Sequence, residues 1–200
     1  NLFKKYAHAK LLTDGENVGL PNGQMGNSEV GHMNLGAGRI VLQDLPLINQ
    51  SIQDNSLERN VALIKLITKL KTSNGACHLI GLASPGGVHS HQKHLIALAE
   101  ILNSNDIPIK LHAFMDGRDT AQSGGKEFVS DIIRRCAKFV NFSIATIIGR
   151  YWAMDRDNNW DRIEQAYNAI TEGDGLKSNN PSEAIQSSYK SGDTDEFIVP

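Results

Sequence analysis

One arrangement of residues occurs three times in this chain and limits the folds open to it. A short apolar run is followed by a polar, glycine-marked turn and then by an amphipathic stretch at helical spacing. The apolar runs are CHLIGLA (77–83), IKLHAFM (109–115) and IATIIG (144–149). Strands that alternate with helices predict βαβ units and a mainly parallel sheet with helices on both faces. We therefore predict a three-layer α/β/α architecture.

The apolar residues of the amphipathic stretches predict which helix faces meet the sheet. They are Leu95, Leu98, Ala99 and Leu102; then Phe128, Ile132, Cys136 and Phe139; then Trp160, Ile163, Tyr167 and Ile170, closed by Gly173. An earlier helix is predicted from Leu57, Leu63, Leu66, Ile67 and Leu70, ending at Ser73-Asn74-Gly75. The last residues, EFIVP, have the pattern of a strand. Because the chain also lacks an initial Met, we interpret it as a piece of a longer protein.

Composition excludes several classes of function. Of the 200 residues, 40% are hydrophobic and 21% are charged, which is ordinary for a globular protein. The net charge of −2 gives no indication of nucleic-acid or membrane-surface binding. No apolar run approaches the ~20 residues that span a bilayer, and the first residues lack the pattern of a signal peptide. Cys77 and Cys136 lack CxxC spacing, which favours two buried thiols in a reducing cytoplasm.

Polar residues follow each predicted strand, where ligands bind in parallel sheets. In chain order they are His89 and His91, then Asp116, Arg118 and Asp119, then Arg150, with Arg156 further on. Guanidinium groups match the paired oxygens of phosphates and carboxylates, so the arginines predict an anion site. The alternative is that each arginine only pairs with a nearby aspartate, Asp116 or Asp119 for Arg118 and Asp155 or Asp157 for Arg156.

Two further stretches leave alternatives open. His89, His91 and His94 could bind a metal, but the cluster lacks a carboxylate, and we favour solvated or ligand-contacting histidines at a helix start. In the glycine-rich stretch GQMGNSEVGHMNLGAGR (23–39), Ser28 lies at a predicted helix N-terminus. It is either an N-cap or a nucleophile at a phosphate site. Because GxSxG and a His-Asp pair are absent, a nucleophilic Ser28 would be activated by a metal.

Four long motifs, in order, identify a family. They are PNGQMGNSEVGHMNLGAGRIVLQ (21–43), GGVHSHQKHL (86–95), HAFMDGRDT (112–120) and GRYWAMDRDNNWDRIEQAY (149–167). Over nearly the whole chain the sequence resembles the cofactor-independent (2,3-bisphosphoglycerate-independent) phosphoglycerate mutases. The resemblance implies an alkaline-phosphatase-like α/β domain, with two Mn²⁺ or other divalent ions, and an inserted substrate-binding phosphotransferase domain. Residues 1–42 would belong to the first domain and 43–200 to most of the second.

The resemblance also implies roles for individual residues. Ser28 would be the nucleophile and a ligand of one metal. It would take the phosphoryl group of 3-phosphoglycerate as phosphoserine and return it to the other hydroxyl, giving 2-phosphoglycerate without 2,3-bisphosphoglycerate. The substrate-binding residues would be His89, Arg118, Asp119, Arg150 and Arg156. The arginines would hold the phosphate and carboxylate, while Asp119 and His89 would face the hydroxyls and the transferring group.

This chain departs from the family pattern in ways that set further expectations. The family's other metal ligands have no counterpart in these 200 residues, so we expect the isolated chain to be inactive. Pro85 and Gln122 replace the usual Asp and Pro in loops beside the site. We expect a monomeric, cytoplasmic isomerase of glycolysis and gluconeogenesis that acts on a small molecule and binds neither nucleic acid nor membrane. The alternatives are a non-catalytic anion-binding module and a related metal-dependent phosphatase or phosphopentomutase, although DGRD and GRYxAMDRD weigh against the latter.

Overall fold

The computed structural model describes all 200 residues, and they divide into two compact units, Asn1–Leu57 and Glu58–Pro200. The first unit contains helices α1 (Leu2–Lys5), α2 (Ser28–Ala37) and α3 (Asp44–Gln53), and no strand. The second contains β1 (Cys77–Leu82), β2 (Ile109–Met115) and β3 (Phe142–Gly149). Its helices are α4 (Val61–Ser73), α5 (Gln92–Asn103), α6 (Gly125–Cys136), α7 (Arg150–Ala153), α8 (Trp160–Thr171) and α9 (Pro181–Ser191). The division of roles between residues 1–42 and 43–200 stays a prediction.

The first unit is organised around α2. Val18, Leu20 and Val30 form its small buried cluster. Asn34 of α2 joins the neighbouring segments, because its Nδ2 donates to the Val18 carbonyl at 3.0 Å and its Oδ1 accepts from the Val41 N–H at 2.7 Å. These side-chain bonds hold irregular backbone in place where no sheet is available to do so.

The second unit contains a parallel sheet with strand order β1-β2-β3. All three predicted strands are confirmed, although β3 begins at Phe142 rather than Ile144. The central strand, β2, is buried along most of its length because it has a neighbour on each edge and layers on both faces. The carboxyl ends of all three strands lie at one edge, as parallel pairing requires.

Helices cover both faces of the sheet, which confirms the predicted three layers. The larger core contains alternate β2 residues, Ile109, Leu111, Ala113 and Met115, packed with buried residues from α4, α5, α6 and α9. On the opposite face, Phe114 and Ile148 pack with Ala166 and Ala169 of α8. This face is covered less completely, since Ile80 of β1 remains exposed.

Two predicted helix faces were partly wrong. On α8, Trp160 and Tyr167 are 71% and 62% exposed, and the buried residues are Ala166 and Ala169. The small alanines lie against the sheet, while the aromatic rings stay at the surface of the helix. On the earlier helix, Leu66 is exposed, and the helix begins at Val61 because the Asn60 side chain caps its N-terminus by accepting from the Ala62 and Leu63 N–H groups.

The EFIVP segment is not a strand. Asp195–Phe197 form a 3₁₀ turn instead. The buried Asp195 carboxylate accepts hydrogen bonds from the Gly125 N–H, at 2.7 Å, and from the Tyr189 hydroxyl. Gly125 lies 70 residues away along the chain and Tyr189 belongs to α9, so the apolar pattern of EFIVP did not reveal these contacts.

Cys77 and Cys136 are both free and buried, as predicted. Burial raises the pKa of both thiols, and Glu100 adds to the shift for Cys136, whose pKa is raised to about 11. At neutral pH both cysteines are therefore protonated and serve as small apolar core residues. No helix is long and apolar enough to cross a bilayer.

Candidate functional site

Two predicted site residues meet at the carboxyl edge of the sheet. Arg150, the first residue after β3, is buried, and its Nη1 donates to Asp119 Oδ2 and to Asp116 Oδ1, each at 2.7 Å. All recorded hydrogen bonds of this guanidinium use Nη1, so the edge formed by Nε and Nη2 is available to a ligand. Burial by itself would lower the pKa of Arg150, but the two carboxylates raise it, and the group stays cationic.

Asp116 is the most heavily bonded group of the site. Besides Arg150, its Oδ1 accepts from the Arg118 and Asp119 N–H groups at 3.2 and 3.0 Å. Its Oδ2 accepts from the Ser84 hydroxyl at 2.6 Å. Burial by itself would raise the pKa of Asp116, but these hydrogen bonds outweigh burial and lower it. Asp116 is therefore a buried carboxylate that remains ionised.

Arg118 pairs with a residue that the sequence did not suggest. Its Nη1 lies 3.5 Å from Glu196 Oε1, and the Arg118 side chain is 61% exposed. The alternative prediction, that its guanidinium pairs with Asp116 or Asp119, is wrong because Arg150 occupies both carboxylates. Arg118 thus extends to the surface, where Glu196 is its ion-pair partner.

Arg156 lies on the loop between α7 and α8, which a neighbouring aspartate holds together. Asp155 accepts from the Asp157 and Asn159 N–H groups, at 3.0 and 2.9 Å, and pairs with Arg162 at 3.1 Å. Arg156 itself is exposed and forms no ion pair. The predicted alternative of an Arg156 pair with Asp155 or Asp157 is therefore wrong, since Asp155 binds Arg162 instead.

The loop that carries His89 lies beside the Asp116–Asp119 turn. The packing at Gly86 is tight, because a Cβ there would lie 3.1 Å from Asp116 Oδ2 and from Asp119 Cβ. His89 is exposed and makes no hydrogen bond within the chain. His91 caps α5 by accepting from the Lys93 N–H at 3.1 Å. The structure thus places His89 near the turn but records no direct contact with the arginines.

Ser28 is the first residue of α2, in the other unit. The N-cap is Asn27, whose Oδ1 accepts from the Val30 N–H at 3.0 Å, so the N-cap alternative for Ser28 is wrong. The Ser28 side chain is exposed, and its Oγ lies 3.2 Å from His32 Nδ1. Its hydroxyl is therefore accessible at a helix N-terminus, where backbone N–H groups favour an anion.

The side chains of this chain do not form a metal centre by themselves. No group of three or more His, Cys, Asp or Glu side chains is arranged to hold a metal ion. The His89, His91 and His94 cluster does not form such a group either. The His, Cys, Asp and Glu side chains of these 200 residues therefore do not by themselves form the two-metal site that the family resemblance implies.

Sequence reasoning missed the residues that hold the site together. Ser84 follows β1 but has no charge to draw attention. Glu196 is separated from Arg118 by four helices, α6 to α9, and by β3, and no local pattern links the two residues. Gln122, the departure in the DGRDTAQSG loop, uses its backbone carbonyl to accept from the Asp195 N–H at 2.8 Å.

Comparison with known proteins identifies the family. The family model described as the BPG-independent PGAM N-terminus (iPGM_N) matches residues 48–200. The chain belongs to this family. Its members include the 2,3-bisphosphoglycerate-independent phosphoglycerate mutases, isomerases to which the whole chain is similar.

Two bacterial relatives carry that name. The protein of Gluconobacter oxydans (strain 621H) is 50% identical over 199 residues, which is 100% of this chain and 39% of the relative. The protein of Rhodopseudomonas palustris (strain ATCC BAA-98 / CGA009) is 54% identical over 200 residues, again 100% of this chain and 39% of the relative. The chain thus spans well under half the length of these phosphoglycerate mutases.

A solved structure confirms the fold. The structure of Leishmania mexicana phosphoglycerate mutase at low cobalt concentration matches with a TM-score of 0.82 and 32% sequence identity. The match covers 94% of this chain and 36% of that protein. The mixed α/β fold of this chain is therefore that of part of a phosphoglycerate mutase.

Proposed function

We propose that the full-length protein interconverts 3-phosphoglycerate and 2-phosphoglycerate through a phosphoserine at Ser28, without 2,3-bisphosphoglycerate. Membership of the iPGM_N family and the names of the relatives support this activity. The single structural observation that carries it is the pair of arginines, Arg150 directly after β3 and Arg118 three residues after β2, at the carboxyl edge of the sheet.

The arginines suit a substrate with two anionic groups. Arg150 is held from one side by two carboxylates and offers its Nε–Nη2 edge in a fixed direction. Such an edge matches two oxygens of a phosphate or carboxylate. Arg118 and Arg156 are exposed and would supply the further positive charge. We assign the three arginines to the phosphate and carboxylate of phosphoglycerate.

Asp119 and His89 are assigned to the hydroxyls and the transferring group. Asp119 binds Arg150 through Oδ2, which leaves Oδ1 to accept from a substrate hydroxyl. His89 has no partner within the chain, so both ring nitrogens are available to a ligand. The two residues lie on loops that pack together at Gly86.

Ser28 is assigned to the covalent step. The phosphorus–oxygen bond to the substrate breaks, a bond from phosphorus to Ser28 Oγ forms, and the serine proton replaces the phosphoryl group on the substrate. The reverse transfer to the other glycerate hydroxyl returns the proton to Ser28. Backbone N–H groups at the start of α2 would stabilise the negative charge of the phosphoserine.

A divalent metal would supply additional charge stabilisation when bound. The cobalt in the structure of the Leishmania mexicana relative supports a metal requirement. Since the side chains of this chain form no metal centre, we propose Ser28 as one ligand, with the others supplied from outside these residues. Mn²⁺ is the ion that we propose.

The full-length protein tests this function directly. We expect ³¹P NMR to show conversion of 3- to 2-phosphoglycerate without added 2,3-bisphosphoglycerate, and rapid acid quenching to trap phosphoserine at Ser28. Ser28→Ala should abolish both signals, whereas Ser130→Ala, at an exposed position of α6, should leave both unchanged. Turnover that persists in Ser28→Ala would contradict the assignment of the nucleophile.

We also propose a cytoplasmic, monomeric protein with a small-molecule substrate and no nucleic-acid or membrane partner. The two buried free thiols support a reducing compartment. Light scattering of the full-length protein checks the monomer, since a mass twice that of one chain would contradict it.

A further inference from the structure

The ends of all three strands are joined at one carboxylate. Asp116 follows β2 directly, and it binds Ser84, just after β1, at 2.6 Å and Arg150, just after β3, at 2.7 Å. The bonds connect segments that lie 32 and 34 residues from Asp116 in sequence. Asp119, the other carboxylate bound to Arg150, has no hydrogen bond to the β1 end.

The Asp116 carboxylate is enclosed by partners within the chain. Its two oxygens accept from the Ser84 hydroxyl, the Arg150 guanidinium and the Arg118 and Asp119 N–H groups. The residue is 2% exposed. A ligand at the rim therefore cannot reach this carboxylate without displacing existing bonds, and Asp116 can act only through its neighbours.

We propose that Asp116 is the positioning residue of the substrate site, a proposal that rests on the proposed function. It sets the direction of the Arg150 guanidinium, because Asp116 and Asp119 together fix Nη1 between two oxygens. It also fixes the turn that carries Arg118 and Asp119, because it accepts the backbone N–H groups of both. Ser84 completes the arrangement by holding Oδ2 from the opposite side.

An alternative role for Asp116, in which it only neutralises the charge of Arg150, predicts the opposite effect on anion binding. Asp116→Asn removes one negative charge beside Arg150 while nearly keeping the shape of the side chain. If Asp116 only neutralised Arg150, the variant would carry more net positive charge at the rim and would bind an anion more tightly. If Asp116 positions Arg150, the variant binds the anion more weakly, because a small displacement of a binding group is costly.

The experiment measures 3-phosphoglycerate affinity and turnover in the full-length protein. We expect Asp116→Asn to weaken both by roughly 10- to 100-fold, and Ser84→Ala to weaken them by a smaller factor in the same direction. The matched control is Asp131→Asn, because Asp131 also pairs with arginines, Arg134 and Arg135, but on α6. Asp131 also accepts from Gln92 Nε2 at 3.0 Å, and an asparagine oxygen can still accept that bond. The control should stay within about twofold of the wild type, because Asp131 forms no hydrogen bond to any candidate substrate residue.

A double-mutant cycle separates positioning from general damage. In an Arg150→Ala background, there is no guanidinium left to orient, so adding Asp116→Asn should cost much less than in the wild type. Circular dichroism at the assay temperature establishes that each variant is folded, and Ser84→Ala decides the question if Asp116→Asn does not fold.

The outcomes distinguish this proposal from the proposed function. Unchanged or tighter binding by Asp116→Asn, or full additivity with Arg150→Ala, overturns the positioning role while leaving the mutase assignment intact. If instead the wild type neither binds 3-phosphoglycerate nor turns it over, the proposed function itself fails.

Discussion

At the scale of single residues, two buried aspartates of this protein have opposite electrostatic environments. Asp116 is surrounded by a guanidinium, a hydroxyl and two N–H groups, and its pKa is lowered. For Asp195, desolvation is the largest effect, and the charge of Asp116 adds to it, so its pKa is raised despite bonds from Tyr189 and Gly125. Burial by itself would raise the pKa of both carboxyl groups; the donors around Asp116 outweigh it, whereas those around Asp195 do not.

The lowered pKa of Asp116 predicts a pH dependence of stability. The ionised form is favoured in the folded state, so its contribution is present above the unfolded value of about 3.9 and is lost as pH falls through the folded pKa. We expect Asp116→Asn to lower the free energy of unfolding by about 1.5–3 kcal/mol at pH 7. In urea unfolding, this difference should shrink below about pH 3.9, and a difference that grows in acid would contradict the prediction.

The Tyr189 hydroxyl provides a second test at this scale. Tyr189→Phe removes a donor to the fully buried Asp195 carboxylate. We expect a loss of about 1–3 kcal/mol in the free energy of unfolding, because a buried acceptor is left short of a partner. Tyr167→Phe, at a site that is 62% exposed, is the control and should be neutral. Equal effects from the two substitutions would show that the Tyr189–Asp195 hydrogen bond does not contribute to the free energy of unfolding.

At the scale of elements, the segment from Asp195 to Ile198 is hydrogen-bonded to the end of β3 and to α7. The Gly149 N–H at the end of β3 donates to the Ile198 carbonyl at 2.7 Å, and Trp152 Nε1 donates to the Phe197 carbonyl at 3.1 Å. Glu196 of the same segment pairs with Arg118. A 3₁₀ turn thus fastens the loops that carry the candidate substrate residues.

Two glycine-to-alanine substitutions test how closely the 195–198 segment packs against the end of β3. At Gly149 a Cβ would lie 2.3 Å from the Glu196 carbonyl oxygen, so Gly149→Ala must displace backbone. We expect it to cost about 1–3 kcal/mol in the free energy of unfolding. Gly36→Ala, in α2 with nothing within 4 Å of the new Cβ, should be neutral or stabilising by up to about 1 kcal/mol. A harmless Gly149→Ala would mean that the segment is not held against β3.

At the scale of the whole molecule, the chain brings Arg150, Asp116 and Asp119 together at the sheet edge but arranges no group of three or more His, Cys, Asp or Glu side chains to hold a metal ion. We therefore expect the 200-residue chain by itself to show no interconversion of the phosphoglycerates by ³¹P NMR, with or without Mn²⁺. The full-length protein under the same conditions is the positive control. Turnover by the isolated chain would show that its own residues suffice for catalysis.

Much of the fold could be predicted from local patterns. Apolar runs of strand length followed by helical periodicity identified β1, β2 and β3, and parallel pairing then placed Asp116, Asp119 and Arg150 at one edge. The buried faces of helices were less predictable: Trp160 and Tyr167 are apolar enough for a core, but Ala166 and Ala169 occupy it on α8.

The sequence by itself determined the order of the elements, the parallel sheet and the polar residues at the strand ends, because hydrophobic periodicity and chain connectivity are local properties. Only the tertiary structure decided that Asp116 joins Ser84 to Arg150, that Arg118 pairs with Glu196, and that EFIVP is a turn. Those features depend on contacts between residues that are distant in the chain. Desolvation and hydrogen-bond geometry then select one partner among several, and the sequence does not show which one.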